Sequence, residues 1–143
     1  MQTNEQLLDL LENYLAQREL PTEPERLYDP IRYSLAGGGK RLRPMLLLLS
    51  CGLFADDVDV ALPAAAAVEI FHNFTLLHDD IMDNAAVRRG KPSVCARWGG
   101  NVAILSGDAM LISAYRLLAQ APPALLPRIL EVFNTMALGV CEG

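Results

Sequence analysis

Apolar residues recur every three to four positions along most of this chain, and this spacing predicts amphipathic helices. Clusters of proline or glycine, such as Gly37-Gly38-Gly39, separate one apolar stretch from the next. No segment has the alternating pattern and turn residues that predict two paired strands. The pattern therefore predicts an all-α domain, with helices over residues 3–18, 23–35, 44–54, 62–85, 92–98, 102–119 and 124–143.

The end of the fourth predicted helix is unusual because an apolar segment there carries the three carboxylates of Asp79, Asp80 and Asp83. At about 100° per residue, Asp79 and Asp83 lie ~40° apart, and we predict that all three point the same way. Clustered negative charges repel one another and gain no capping bond in mid-helix, which indicates a bound cation. Oxygen ligands suit Mg²⁺, which completes its coordination with water and phosphate.

Two arginines, Arg88 and Arg89, follow the carboxylates directly. Their guanidinium groups are bidentate donors that match phosphate oxygens. An aspartate pair followed by asparagine is also common at a solvated helix end, and the motif alone leaves that alternative open. The apolar helix before the motif and the R-R-G-K sequence after it favour a binding site.

A second basic cluster, Lys40-Arg41-Leu42-Arg43, follows the three glycines and precedes Pro44. Pro44 suits the first turn of a helix. Free backbone N–H groups at a helix start act together with neighbouring cations to bind an anion. The alternative is a glycine linker beside a charged helix face. The sequence is not a P-loop, because the pattern G-x-x-x-x-G-K-[ST] is absent.

His72 precedes Asp79 by seven residues, or two helical turns, so it lies on the same face and can line the same cavity. The alternative is an ordinary packed histidine. Glu69-x-x-His72 also has the spacing of a di-iron carboxylate site. That interpretation fails because the only other histidine, His78, has no glutamate three positions before it. We expect His78 to be structural.

Composition narrows the class of partner. A formal net charge of −5 argues against nucleic acid, while the two basic clusters indicate a compact anionic ligand. Hydrophobic residues make up 52% of 143 positions, which predicts one domain with deeply buried helices or a face for another subunit. No uninterrupted apolar run reaches the ~18 residues of a membrane span, and the acidic N-terminus is not a signal peptide. Three widely spaced cysteines predict free thiols and a cytoplasmic protein.

Four motifs together carry a resemblance to a known family. They are G-G-G-K-R-L-R-P at 37–44, F-H-N-F-T-L-L-H-D-D-I-M-D-N at 71–84, R-R-G-K-P at 88–92 and S-G-D at 106–108. Their order and spacing resemble those of the trans-isoprenyl (polyprenyl) diphosphate synthases. The resemblance implies an antiparallel helical bundle of the isoprenoid synthase type, usually a homodimer. It also implies Mg²⁺-dependent, head-to-tail condensation of isopentenyl diphosphate with an allylic diphosphate.

Carried over position by position, the resemblance also assigns roles to single residues. It implies that Asp79, Asp80 and Asp83 hold Mg²⁺ on the allylic diphosphate, that Arg88 contacts this diphosphate, and that Lys40, Arg43, His72 and Arg89 hold isopentenyl diphosphate. Asp108 of S-G-D is expected either to contact the basic cluster or to be a polar residue of a core helix.

Phe74 and Thr75 lie five and four positions before Asp79, where a growing prenyl chain would extend. One bulky ring at this level resembles the arrangement for short or medium products of about C15 to C20, because the ring limits the length of the pocket. The alternative is that Phe74 is an ordinary core residue.

The chain departs from the family pattern in one respect, because nothing after Asp108 supplies a second aspartate-rich motif. We therefore interpret residues 1–143 as the N-terminal part of a single isoprenoid synthase domain, expected to catalyse poorly alone and to associate with the missing half or another chain. The alternative is a non-catalytic partner subunit of a complete synthase, although such subunits commonly lose the aspartates kept here. A terpene cyclase is less favoured because Lys40, Arg43 and His72 would lack a purpose.

Overall fold

The structure is a computed structural model that describes residues 2–143, and the prediction of an all-α fold is confirmed. Within that range there are seven α-helices, one 3₁₀ turn at Asp59–Ala61 and a two-stranded ribbon. The helices are α1 (Asn4–Ala16), α2 (Glu25–Ala36), α3 (Leu42–Gly52), α4 (Leu62–Met82), α5 (Val94–Trp98), α6 (Gly100–Leu118) and α7 (Leu126–Glu142), and the strands are β1 (Val87–Arg88) and β2 (Lys91–Pro92).

The bundle is built around α4, which packs along most of its length against α6. Small residues lie where these two helices meet, including the fully buried Ala66 and Ala67 of α4 and Ala103 and Ala114 of α6. Small side chains let the two backbones approach closely, so that larger neighbours interdigitate around them. The main core therefore lies along α4, between α2, α6 and α7.

A second, smaller core lies between α1, α3 and the start of α4. Leu11 of α1 and Leu48 of α3 are fully buried there, and complete burial of a leucine side chain contributes roughly 2 kcal/mol. The start of α1 is fixed by a capping box, in which Thr3 and Gln6 each bond the backbone N–H of the other. This packing positions the start of α3, and therefore the second basic cluster, against the middle of α4.

The ribbon after α4 was not expected from the sequence. Helix α4 ends at Met82 instead of continuing to Ala85, because Asn84 adopts a left-handed conformation with φ +50°. The ribbon then turns at Arg89 (φ +52°) and Gly90 (φ +76°), the pair of positive φ values typical of a type I′ hairpin. Arginine is uncommon at the first of these positions and each strand has only two residues, so the sequence pattern does not predict the hairpin.

By length and composition alone, the helical segment Asp59–Met82 could cross a membrane. No such segment was expected from the sequence, because no uninterrupted apolar run is long enough. However, 56% of the most apolar window of this segment is buried inside the bundle, which is the usual situation of a core helix. It also buries the charged side chains of Glu69 and Asp80 against arginines. These features fit a helix that is surrounded by protein.

Candidate functional site

The ribbon places Arg88 against the acidic end of α4. Arg88 donates from Nη2 to Oδ1 of Asp80 at 2.7 Å and from Nε to Oδ2 at 3.2 Å. This bidentate pair raises the pKa of Arg88 further above its ordinary value, chiefly through the hydrogen bond to Asp80, although burial opposes the shift. Arg88 is therefore a permanent cation with a fixed orientation.

The three carboxylates do not point the same way, so that prediction was wrong. Asp80 is buried, whereas Asp79 and Asp83 are exposed. The reason is geometric, because consecutive residues lie about 100° apart around a helix. Asp79 and Asp83 project to solvent, while Asp80 faces the ribbon and Arg88.

The exposed pair Asp79 and Asp83 could hold a metal ion. Within residues 2–143, no three side chains of the His, Cys, Asp and Glu types converge as a metal site. Asp79 and Asp83 are one turn apart at the C-terminal end of α4, where the helix dipole itself favours a cation. Their carboxylate oxygens fit a hard divalent ion such as Mg²⁺, which takes one or two protein carboxylates and fills its shell with water and phosphate.

Two turns before the acidic end of α4, His72 meets the second basic cluster. Arg43 lies in the first turn of α3, and its Nη1 is 3.3 Å from Nε2 of His72. Burial lowers the pKa of His72, and Arg43 lowers it further; Arg89 and Arg88 add smaller effects, and Glu69 opposes them. Arg43, Arg88 and Arg89 also make the surroundings of this ring positive, which favours an anion beside it.

Arg89 connects the ribbon with the glycine loop over residues 37–39. Its guanidinium group donates to the backbone carbonyl of Gly38. Gly39 has φ +155°, and a side-chain carbon at that position would come within 3.2 Å of the Arg89 guanidinium group. Lys40 follows the loop and is exposed. The two basic clusters predicted from the sequence are thus adjacent in the structure.

A small cavity of about 40 Å³ lies where the ribbon, α2 and α4 meet. Its walls include the side chains of Asp80, Arg88 and Arg89, together with the buried Asn73. The Tyr33 hydroxyl donates to the backbone carbonyl of Pro92 at 2.8 Å, which anchors the ribbon beside the cavity. No role was assigned to Tyr33 or Asn73 from the sequence, because Tyr33 lies outside the quoted motifs and Asn73 is an uncharged residue within one of them.

Arg41 has a different place from the other residues of its cluster. Its guanidinium group is paired with Glu12 of α1 and Glu69 of α4, each at 2.8 Å. Arg41 is therefore held inside the protein, while Arg43 reaches His72. Glu69, which the sequence singled out only for a di-iron alternative, is the buried partner in this pair.

Phe74 and Thr75 lie below the acidic end of α4. The Phe74 ring packs edge to face on His78, with centroids 4.7 Å apart, and against Phe71 at 5.5 Å. The Thr75 hydroxyl donates to the backbone carbonyl of His72 at 2.7 Å, so its polar group is satisfied within the helix. The Phe74 side chain is half-buried and is bulkier than that of Thr75.

The structure agrees with the expectation for His78 and corrects one for Asp108. Nε2 of His78 lies 3.2 Å from the backbone carbonyl oxygen of Ile104, and the His78 ring packs against Gly107. His78 therefore has a structural role where α4 and α6 meet. Asp108 is exposed and lies 3.7 Å from His78, on α6. Among the described residues its ion-pair contact is with His78, and it makes none with either basic cluster.

The bundle and the placement of these residues along α4 define an isoprenoid synthase fold. A solved geranylgeranyl pyrophosphate synthase superposes with a TM-score of 0.94 and is 48% identical, covering 99% of this chain and 43% of that one. The geranylgeranyl pyrophosphate synthetase of Geoglobus acetivorans superposes with a TM-score of 0.81 at 39% identity, covering 97% of this chain and 44% of that one.

The sequence model of the polyprenyl synthetases matches residues 24–143, and the chain belongs to the polyprenyl synthetase family. The geranylgeranyl diphosphate synthase of Methanosarcina mazei is 43% identical over 124 residues, covering 85% of this chain and 38% of the relative. The chain thus spans about two fifths of the length of the curated relatives it matches.

Proposed function

We propose that this chain takes part in the trans, head-to-tail condensation of isopentenyl diphosphate with an allylic diphosphate. The observation that carries the proposal is the convergence of two cationic groups on one helix: Arg43 lies against His72, and Arg88 is bound to Asp80 two turns further along. Two separate diphosphate sites on one helix are what a reaction between two diphosphates requires. The names of the similar geranylgeranyl diphosphate synthases support a product near C20, within the predicted range of about C15 to C20.

Each substrate has its own proposed set of side chains. Isopentenyl diphosphate is held by Lys40, Arg43, His72 and Arg89. The allylic diphosphate is contacted by Arg88, which Asp80 orients, while Asp79 and Asp83 would act on it only through a bound Mg²⁺. Arg88 uses Nε and Nη2 for Asp80, which leaves the N–H groups of Nη1 for a phosphate oxygen. Asp79 and Asp83 would hold Mg²⁺, which neutralises charge on the leaving diphosphate when bound.

The proposed chemistry needs charge stabilisation at one end of the pocket and an apolar wall at the other. The bond between the allylic carbon and the diphosphate oxygen breaks, and Arg88 stabilises the negative charge that develops on the leaving group. The alkene of isopentenyl diphosphate attacks the allylic cation, and a proton is then lost to the departed diphosphate. Phe71 and Leu77 are buried beside the half-buried Phe74, and this apolar wall keeps water from the cation.

We further propose that the chain needs another polypeptide surface for full activity. Large apolar side chains remain exposed along three helices, including Leu42 and Leu46 of α3, Leu105 and Ile112 of α6, and Val132 and Leu138 of α7. Such faces are covered by association with a second copy, as in a homodimer, or with the additional segments that the longer relatives contain. The three free cysteines support a cytoplasmic location.

The proposal is tested by binding first and by turnover second. Calorimetry with isopentenyl diphosphate should give saturable binding to the chain that weakens at least tenfold in Arg43→Gln, because a charge-assisted contact is lost. Arg26→Gln, which changes an exposed arginine of α2, should bind as the wild type does.

Turnover is then measured with Mg²⁺, isopentenyl diphosphate and each allylic primer. The reactions contain the chain alone or the chain with a polypeptide carrying the remaining segments of a longer relative. Prenyl products should form in the reconstituted reaction. Absence of binding and of product in both reactions would overturn the proposal, and binding without product would favour the non-catalytic partner subunit.

A further inference from the structure

Arg41 holds an unusual backbone conformation at the start of α3. Its φ of +52° and ψ of +26° are left-handed, a conformation that is unfavourable for a residue with a side chain. The two preceding positive-φ glycines, Gly38 and Gly39, turn the chain sharply just before it. A strained residue persists only when its surroundings hold it in place.

Arg41 is held by a network of charged and polar groups between three helices. Its Nη1 bonds Oε1 of Glu69 at 2.8 Å, and its Nε bonds Oε1 of Glu12 at 2.8 Å. Glu69 is only 3% exposed, and the buried Asn73 donates to its carboxylate at 3.3 Å and to its carbonyl at 2.9 Å. Burial lowers the pKa of Arg41, but its hydrogen bonds to Glu12 and Glu69 raise it overall, so the group stays charged.

A contribution to stability is a weak explanation for this network. Replacing a buried ion pair by apolar residues is often neutral or stabilising, because desolvation offsets the attraction between the charges. The position of the Arg41–Glu69 pair relative to the proposed substrate-binding residues is more informative. Arg41 lies between Lys40 and Arg43 in the chain, and Glu69 lies one turn before His72 on α4. The pair therefore joins the segment that carries Lys40 and Arg43, two of the four proposed ligands, to the helix that carries a further one, His72.

We infer that Arg41 and Glu69 form a positioning pair that fixes residues 37–43 against α4, so that Lys40, Arg43 and His72 face one diphosphate group. This inference rests on the proposed function, and it assigns the pair no direct contact with substrate. Asn73 extends the same network to the cavity next to Asp80 and Arg88, because it bonds Glu69 and also lines that cavity. Arg88 itself is held by Asp80 and does not depend on the pair.

The variant that tests the pair is Glu69→Gln, which keeps the shape of the side chain and removes its charge. Its control is Glu131→Gln, which removes a glutamate paired with Arg128 at the exposed surface of α7. In Glu69→Gln, amide hydrogen exchange over residues 38–43 should become at least tenfold faster. Affinity for isopentenyl diphosphate should fall at least fivefold, while affinity for an allylic diphosphate should change less than twofold. The control should match the wild type in all three measurements.

The selective loss separates positioning from general destabilisation, which would weaken both ligands together. Faster exchange with unchanged isopentenyl diphosphate affinity, or equal loss for both ligands, would overturn the inference. If the wild type binds no diphosphate, the proposed function fails. Unchanged amide hydrogen exchange over residues 38–43 in Glu69→Gln would separately refute the idea that the pair positions this segment. Should Glu69→Gln not fold, Arg41→Lys keeps the buried charge but loses the bond to Glu12. The loss of affinity for isopentenyl diphosphate should then be smaller than in Glu69→Gln but still exceed the twofold limit set for the allylic diphosphate.

Discussion

Arg88 donates to both carboxylate oxygens of Asp80, and this pair joins the ribbon to the acidic end of α4. The Asp80 side chain is 6% exposed and that of Arg88 is 38% exposed. A buried carboxylate is thereby paired with a cation that still reaches solvent. The pair fixes the turn at Arg89 and Gly90, and so also the contact between Arg89 and the glycine loop.

Substitution Arg88→Met should lower the free energy of unfolding by about 2 kcal/mol, because Asp80 would be left buried without its charged partner. Arg32→Met is the matched control, since the Arg32 side chain is also 38% exposed but its partner Asp29 is 48% exposed. Arg32→Met should lower the free energy of unfolding by less than about 1 kcal/mol. Urea unfolding measures both values, and equal losses in the two variants would contradict the explanation.

Stability should fall as the pH is lowered from about 7 toward 5, in part because of His72. Burial, with help from Arg43, holds the pKa of His72 below the ordinary 6.5. Between the folded and unfolded pKa values the unfolded chain binds more protons, so this contribution is complete above 6.5 and is lost as the pH falls through the folded pKa. His72→Gln should flatten this part of the urea-unfolding profile.

The same residue offers a spectroscopic check. In Arg43→Gln the pKa of His72, followed by NMR of the ring signals, should rise, because a cation 3.3 Å from the ring is removed. The chain has only two histidines, so a single substitution assigns both ring signals. An unchanged pKa in this variant would show that Arg43 does not influence His72, and a lower pKa would contradict the expected sign.

Two helical glycines should respond to alanine with opposite signs. At Gly107 a side-chain carbon would collide with the His78 ring, which is confined by Phe74, so Gly107→Ala should destabilise by about 1–3 kcal/mol. At Gly139 of α7 nothing lies within 4 Å, so Gly139→Ala should stabilise by about 0.5–1 kcal/mol through helix propensity. Thermal melting of the two variants gives the sign, and a gain in Gly107→Ala would refute the packing argument.

The proposed limit on product length predicts a longer product for Phe74→Ala in an active assembly. The half-buried Phe74 ring occupies the turn below the acidic end of α4, and its removal opens space for further isoprene units. Thr75→Val is the control with little change in volume, because the Thr75 hydroxyl bonds within its own helix. Chromatography of dephosphorylated products measures the length, and identical distributions for Phe74→Ala and wild type would remove Phe74 from this role.

Features that depend on helical period could be predicted from the sequence. The seven-residue spacing that places His72 and Asp79 on one helix is local, so it survives in the structure without knowledge of the fold. The same period explains the error at Asp80, since a residue next to Asp79 faces about 100° away from it. A stricter use of that angle would have predicted a separate partner for Asp80.

Features that depend on which side chains meet in three dimensions could not be predicted. Arg41 and Glu69 are separated by 28 positions, and nothing in the spacing indicates that this arginine turns inward while Arg43 turns toward His72. One signal was available, because Glu69 is the only acidic residue between Val60 and Leu77. A single carboxylate in such an apolar segment is expected to have a charged or hydrogen-bonding partner inside the protein.

Because His72 and Asp79 belong to the same uninterrupted helix, seven residues with a rise of 1.5 Å each separate them by about 10 Å along its axis. Neither loop movement nor closure of the bundle can alter that interval. Insertion of a single residue between them would lengthen it only slightly, but would swing one of the two positions by about 100° to a different side of the molecule. The number of residues between these two positions is therefore fixed by the geometry of α4 itself.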